Sequence, residues 1–167
     1  MFAVFRYIKP LLVEVTGLSL DVVPLALALL GAGMVAGNTV GARLADRALM
    51  VTIAGVLIWG VVVLLAVLVT ARYPVAMCVN VFMLGTVLAL APALQIRLMD
   101  VAGEAQTLAA ALNHSAFNVA NALGAWLGGA AVTAGLGWTA TGWVGSLLGF
   151  GGLLVFGVSV QMQRRSR

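Results

Sequence analysis

A chain of 167 residues in which 63% are hydrophobic and 8% charged, with a mean hydropathy of +1.13, is not a soluble globular domain, where about 25% of residues carry charge. Its net charge of +4 would point to nucleic acid in a soluble protein, but the basic residues stand at the ends of apolar runs, where the positive-inside rule puts them, so nucleic-acid binding is excluded. A single cysteine, Cys78, and a single histidine exclude an internal disulfide and a metal site rich in Cys or His.

Residues 1–15 form the first apolar stretch, which is short and interrupted by Arg6, Lys9 and Pro10. Arg6 and Lys9 are three residues apart and share a face, and each would cost about 2.5–3.5 kcal/mol at mid-membrane. This segment is therefore expected to be an incomplete span or to lie at the surface. It has neither the basic start nor the small-residue cleavage site of a secretory signal.

Ser19 and Asp21 ahead of Pro24 mark a helix start, because a side-chain oxygen can accept first-turn amides and proline suits the first turn. The span that follows covers residues 22–41, and Gly41-Ala42-Arg43-Leu44-Ala45-Asp46-Arg47 is expected to be a short loop. Further spans cover 48–70, 74–97, 106–135 and 139–162, each long enough against the roughly 20 residues that a crossing needs. Pro74 opens its span, and Pro92 and Gln95 loosen and polarise that span's end.

Arg43 and Arg47, then Arg97, then Arg164, Arg165 and Arg167 fall on one side if the spans alternate, and Arg72 falls on the other. The C-terminus and the Arg43 loop are thus placed in the cytoplasm. Tyr73, Trp138 and Trp143 mark the outer boundary as an aromatic belt. The expected fold class is all-α integral membrane, a single domain over 1–167 with five full transmembrane helices and one short or incomplete N-terminal helix.

Glycine makes up 20 residues and recurs at every fourth position in Gly33, Gly37 and Gly41, in Gly124 and Gly128, and in Gly145 and Gly149. Small residues at that spacing form grooves that let helix backbones approach in lipid. Packing within one bundle is preferred here to dimerisation.

The richest polar constellation is Asn113-His114-Ser115-Ala116-Phe117-Asn118-Val119-Ala120-Asn121. At about 100° per residue, His114, Asn118 and Asn121 share one helix face. Such groups must face a partner helix or a watery cavity. Two readings stay open: a substrate-cavity lining that also includes Asn113 and Gln95, or interhelical hydrogen bonding, where each bond averages about 0.6 kcal/mol.

No enzyme signature is present. Glu14, Asp21, Asp46, Asp100 and Glu104 sit in loops or at helix ends. Gly149-Phe150-Gly151-Gly152 lacks the Lys-Ser/Thr pair and the preceding strand of a phosphate loop. No cofactor or metal is expected.

Leu44-Ala45-Asp46-Arg47 resembles the signature between the second and third helices of major facilitator superfamily transporters, a pattern that recurs more weakly between the eighth and ninth. Tyr7-Ile8, Pro10-Leu11-Leu12, Glu14-Val15-Thr16-Gly17-Leu18-Ser19, Gly37-Asn38 and the run from Ala111 to Ala125 are similar to the drug:proton antiporter branch, in particular its arabinose-efflux-permease-like exporters. The resemblance covers nearly the whole chain. It departs at Ala42, which replaces the motif glycine, at Ala48-Leu49-Met50, which replace the basic continuation, and at Arg6 and Lys9, where that group usually carries uncharged residues.

The resemblance implies helices seven to twelve, the C-terminal half of a proton-coupled efflux transporter in the inner membrane. It implies as partners the lipid bilayer, a small-molecule substrate, protons and an N-terminal six-helix half. In this reading His114, Asn118, Asn121, Asn113 and Gln95 line the cavity. Gly41, Arg43, Asp46 and Arg47 form the gate motif, with Asp46 near Arg97 or Arg43. Gly33, Gly37, Gly124 and Gly128 serve packing. The alternatives are a truncated, non-transporting fragment or scaffold and a small homo-oligomeric exporter.

Overall fold

The computed structural model describes residues 1–165. Arg167 of the basic tail, and the side chain of Arg164, lie outside what it describes. Among the described residues there are helices and turns and no strand. Helices α1 (Phe2–Arg6) and α2 (Ile8–Pro10) lead into a π-helical turn, Leu11–Val15. They are followed by α3 (Val23–Thr70), α4 (Pro74–Thr86), a 3-10 turn at Val87–Ala89, α5 (Leu90–Ala102), α6 (Gln106–Ala131) and α7 (Ala140–Arg165).

The 48 residues of α3 would extend about 72 Å if straight. They do not, because Ala48 leaves the helical region at φ −155° and ψ 73°. Residues of both limbs, among them Gly37, Gly41, Gly55 and Trp59, line one groove, so the chain reverses at Ala48. The stretch from Gly41 to Arg47, expected as a loop, is helical throughout. Arg43, Leu44 and Ala45 are good helix formers, and Gly41 and Ala45 are buried, so packing carries the helix on to the reversal.

The first segment is short and broken, as expected, and of its two expected placements the structure supports the incomplete span over the surface one. Val4, Leu11 and Leu12 are fully buried in a cluster with Ala26, Leu30, Leu64 and Leu84, so the segment packs inside the bundle rather than lying on it. Pro10 has no N–H to offer the Arg6 carbonyl, and the helix breaks beside it at Tyr7, with φ −109° and ψ 17°. Pro92 acts similarly on the Leu88 carbonyl, and the backbone tightens to the 3-10 turn at Val87–Ala89.

Beyond Ala102 the chain turns at Gly103, whose φ of +54° suits a residue without Cβ, and α6 runs back along α5. Three helical runs, Val23–Thr70, Pro74–Leu136 and Ala140–Gln163, are long and apolar enough to cross a membrane. The first two each double back, at Ala48 and at Gly103.

Glycines set the helix neighbours. A Cβ at Gly33 would fall on the Phe82 carbonyl oxygen, one at Gly37 would lie 2.5 Å from the Thr86 carbonyl oxygen, and one at Gly41 2.6 Å from the Ala89 Cβ. The first limb of α3 therefore runs parallel to α4, backbone against backbone. A Cβ at Gly142 would lie 2.9 Å from the Leu64 carbonyl oxygen, and one at Gly149 3.0 Å from the Val61 side chain, so α7 runs antiparallel to the second limb.

A smaller core of Ala45, Ile53 and Ala93, with Leu49, Met50 and Phe156 against it, gathers the reversal, α5 and the end of α7 at one end of the bundle. Trp138, Val15 and Leu18 pack against the larger core at the other.

Candidate functional site

Helix α6 has three differently built faces. Ala109, Asn113, Gly124, Gly128 and Ala131 are buried. Leu108, Leu112, Val119 and Trp126 are exposed and apolar, as a face against hydrocarbon should be. Between these two, His114, Asn118 and Asn121 are exposed and form a polar strip.

The structure separates the five expected cavity residues into two groups. Asn113 turns inward, 7% exposed, and its Nδ2 donates to the Gln95 Oε1 at 2.5 Å, joining α5 to α6. His114, Asn118 and Asn121 turn outward and touch neither of them. A cavity of about 230 Å³ between the first segment, α3, α6 and α7 is walled by Phe2, Leu64, Val87, Phe117, Ala120 and Gly145 among others and is mostly apolar. None of the five polar residues lines that cavity.

The outward strip continues into the seat of α1. A Cβ at Gly124 would lie 3.2 Å from the Ala3 backbone nitrogen, and one at Gly128 3.2 Å from the Ala3 carbonyl oxygen and 3.4 Å from the Tyr7 ring. Hence α1 and α6 run parallel. The Tyr7 hydroxyl donates to the Ala125 carbonyl oxygen at 3.1 Å, and any side chain at Gly129 would strike that hydroxyl.

The Tyr7 ring stands 6.2 Å from that of Trp138 at an interplanar angle of 33°, and the Trp138 indole N–H donates to the Glu14 Oε2 at 2.6 Å. This chain of contacts ties the first segment to α6 and to the α6–α7 turn. It was not singled out from sequence, although Tyr7, Glu14 and Trp138 each stood in a feature that was.

At the other end of the bundle Arg43, Asp46 and Arg47 are exposed and Gly41 is buried against Ala89. Arg97, one expected partner of Asp46, donates instead from its Nη2 to the Gln163 Oε1 at 2.7 Å. Among the described residues no ion pair joins Asp46 to Arg43 or Arg97. Asp46 lies in the last turn of the first limb, two residues before the break at Ala48, so it is not the helix-start carboxylate that the sequence suggested.

Sequence reasoning also passed over Asn80, buried on α4. Its Nδ2 donates to the Thr70 hydroxyl oxygen at 2.8 Å, and the opposite amide orientation would instead let it donate to the Val63 carbonyl oxygen and accept from the Val67 N–H. The signal was a lone amide in the middle of an apolar span. Among the described residues no buried side-chain N or O atom lacks a partner, so the polar groups still open to a ligand are the outward ones.

Compared with known proteins, residues 1–166 match the family profile of the Major Facilitator Superfamily. The inner membrane transport protein YdhP of Escherichia coli K12 is 39% identical over 93% of this chain and 41% of its own. An uncharacterized MFS-type transporter of Bacillus subtilis, YtbD, is 33% identical over 99% of this chain and 43% of its own. A chloramphenicol resistance protein of Streptomyces lividans is 36% identical over 74% of this chain and 32% of its own. The chain thus spans less than half the length of these relatives. No solved structure matches it.

Proposed function

Since the chain belongs to the major facilitator superfamily, whose relatives here are membrane transporters and not enzymes, we propose that it is the C-terminal six-helix half of a proton-linked exporter of small molecules. It works in the inner membrane, C-terminus in the cytoplasm, against an N-terminal half that supplies the other wall of the path. Superfamily transport of this kind is alternating access, one half rocking on the other about a site near the midplane.

The observation that carries the proposal is the outward polar strip of α6. His114, Asn118 and Asn121 stand exposed together on one helix, whereas Val62, Val69, Val75 and Val155 make outward surfaces of α3, α4 and α7 apolar. Polar groups left open to lipid are costly and face a watery cavity or a partner. The strip supplies amide donors and acceptors and one imidazole. Glu14, Asp21, Asp46, Asp100 and Glu104 are all exposed near helix ends or in turns, so the proton-coupling carboxylate belongs to the other half. Asp46 and Arg47 serve the inner gate.

The test is co-expression with an N-terminal half from a relative, in cells lacking their own exporters. Export of a substrate of that relative should appear only when both halves are present. It should fall about tenfold or more in a variant with His114, Asn118 and Asn121 all changed to alanine. Unchanged export kinetics in that variant would remove the strip from the path.

A further inference from the structure

Arg6 and Lys9 are both exposed, and they belong to the first segment, which is seated beside the α6 strip. The neighbouring Ala3 and Tyr7 lie against Gly124, Gly128 and Ala125, the stripe that Asn121 and Asn118 continue. Much of the other outward surface is hydrocarbon, as at Val62, Leu65 and Val69 on the second limb of α3, Val75 and Val79 on α4, and Leu154 and Val155 on α7, with Asn38 and Thr39 on the first limb of α3 a polar exception. Those faces meet lipid, and the side with Arg6 and Lys9 does not share their character.

No carboxylate balances the two charges. Among the described residues neither cation takes part in an ion pair. The acidic side chain of the same segment, Glu14, is held by the Trp138 indole at 2.6 Å. Two cations without counter-ions on a face that excludes water when a second half closes would be strongly unfavourable. They become favourable when the bound molecule brings the negative charge. Arginine offers a planar fork that meets a carboxylate, phosphate or sulfonate through two parallel hydrogen bonds, and lysine adds a point charge.

We infer that Arg6 and Lys9 form an anion subsite at the outer end of the path, selecting cargo that carries a carboxylate or a similar acidic group. This rests on the reading of the chain as a transporter half.

The test uses the whole chain in phosphatidylcholine nanodiscs and compares binding of benzoate with that of its neutral counterpart benzamide. Benzoate should bind more tightly, and in the R6Q/K9Q double variant its affinity should fall about tenfold or more, with smaller losses in each single variant and benzamide unchanged. Equal binding of the two probes, or benzoate binding that survives in R6Q/K9Q, overturns the subsite. So does a wild type that never binds benzoate but retains phosphatidylglycerol through the same two residues, which makes them headgroup anchors. Because no second half is present, benzoate binding with failed export in co-expressed halves would defeat the transport reading alone, and the reverse pattern would defeat the subsite alone.

Discussion

Asn113 and Gln95 meet side chain to side chain at 2.5 Å, across the hairpin that α5 and α6 form about Gly103. Asn113→Leu leaves the Gln95 amide in a largely apolar contact without its partner. The expected loss is about 1–2 kcal/mol, at the upper end of measured membrane hydrogen bonds. The double variant with Gln95→Leu should recover part of that loss. Reversible unfolding in mixed micelles reads both, and additive losses would show the contact to be uncoupled.

Gly37 and Gly31 lie on the same limb of α3 and should respond oppositely. Gly37→Ala places a Cβ 2.5 Å from the Thr86 carbonyl oxygen, whereas Gly31→Ala meets nothing within 4 Å. Overpacking should lower stability by about 1–3 kcal/mol at Gly37. The better helix propensity of alanine, up to about 1 kcal/mol, should leave Gly31→Ala neutral or stabilised. Thermal melting of the two variants in the same detergent decides the sign.

The Glu14–Trp138 contact predicts non-additivity. Glu14→Ala and Trp138→Phe should each speed amide exchange across Ala140, Thr141 and Gly142, whose N–H groups bond back to Gly137, Trp138 and Thr139. Combining the two substitutions should add nothing, because the second removes a partner already lost. Exchange that accelerates further in the double variant would mean the residues act separately.

At Ala48 the backbone has a φ of −155°, far from the value of about −65° that proline imposes. Ala48→Pro should destabilise the fold by about 3 kcal/mol or more, while Ala48→Gly, which tolerates any φ, should be close to neutral. A melting temperature unchanged by proline would place the reversal elsewhere.

The all-helical membrane fold was legible because apolar runs of span length leave few alternatives. The glycine spacing pointed to close helix approach, and the structure adds which backbones approach: Phe82 and Thr86 for Gly33 and Gly37, Ala3 for Gly128. A turn between two spans was expected at Gly41 to Arg47, whereas the helix runs on to Ala48, since that stretch looks like a loop until Ala89 and Ala93 are brought against it. The division of the polar run was not legible. Asn113 lies next to His114 in sequence yet about 100° away around the helix, enough to send one inward and the other outward once α5 takes its place. Leu11 and Leu12 could not be told from a surface segment by length alone, because the partners that bury them are far along the chain.

The two glycine tracks differ in what a methyl group would meet. Along Gly37 and Gly41 the hypothetical Cβ positions fall 2.5 and 2.6 Å from Thr86 and Ala89, whereas along Gly124 and Gly128 the nearest atoms of α1 are 3.2 Å away. The first seam closes on backbone, which cannot step aside, so α4 and the first limb of α3 are locked as one block. At the second, neighbours would have to yield by a few tenths of an ångström at Gly124 and Gly128, and by more at Gly129 under the Tyr7 hydroxyl. Both seams are thus closed to any residue larger than glycine, and the one beside the outward polar strip is the less severe.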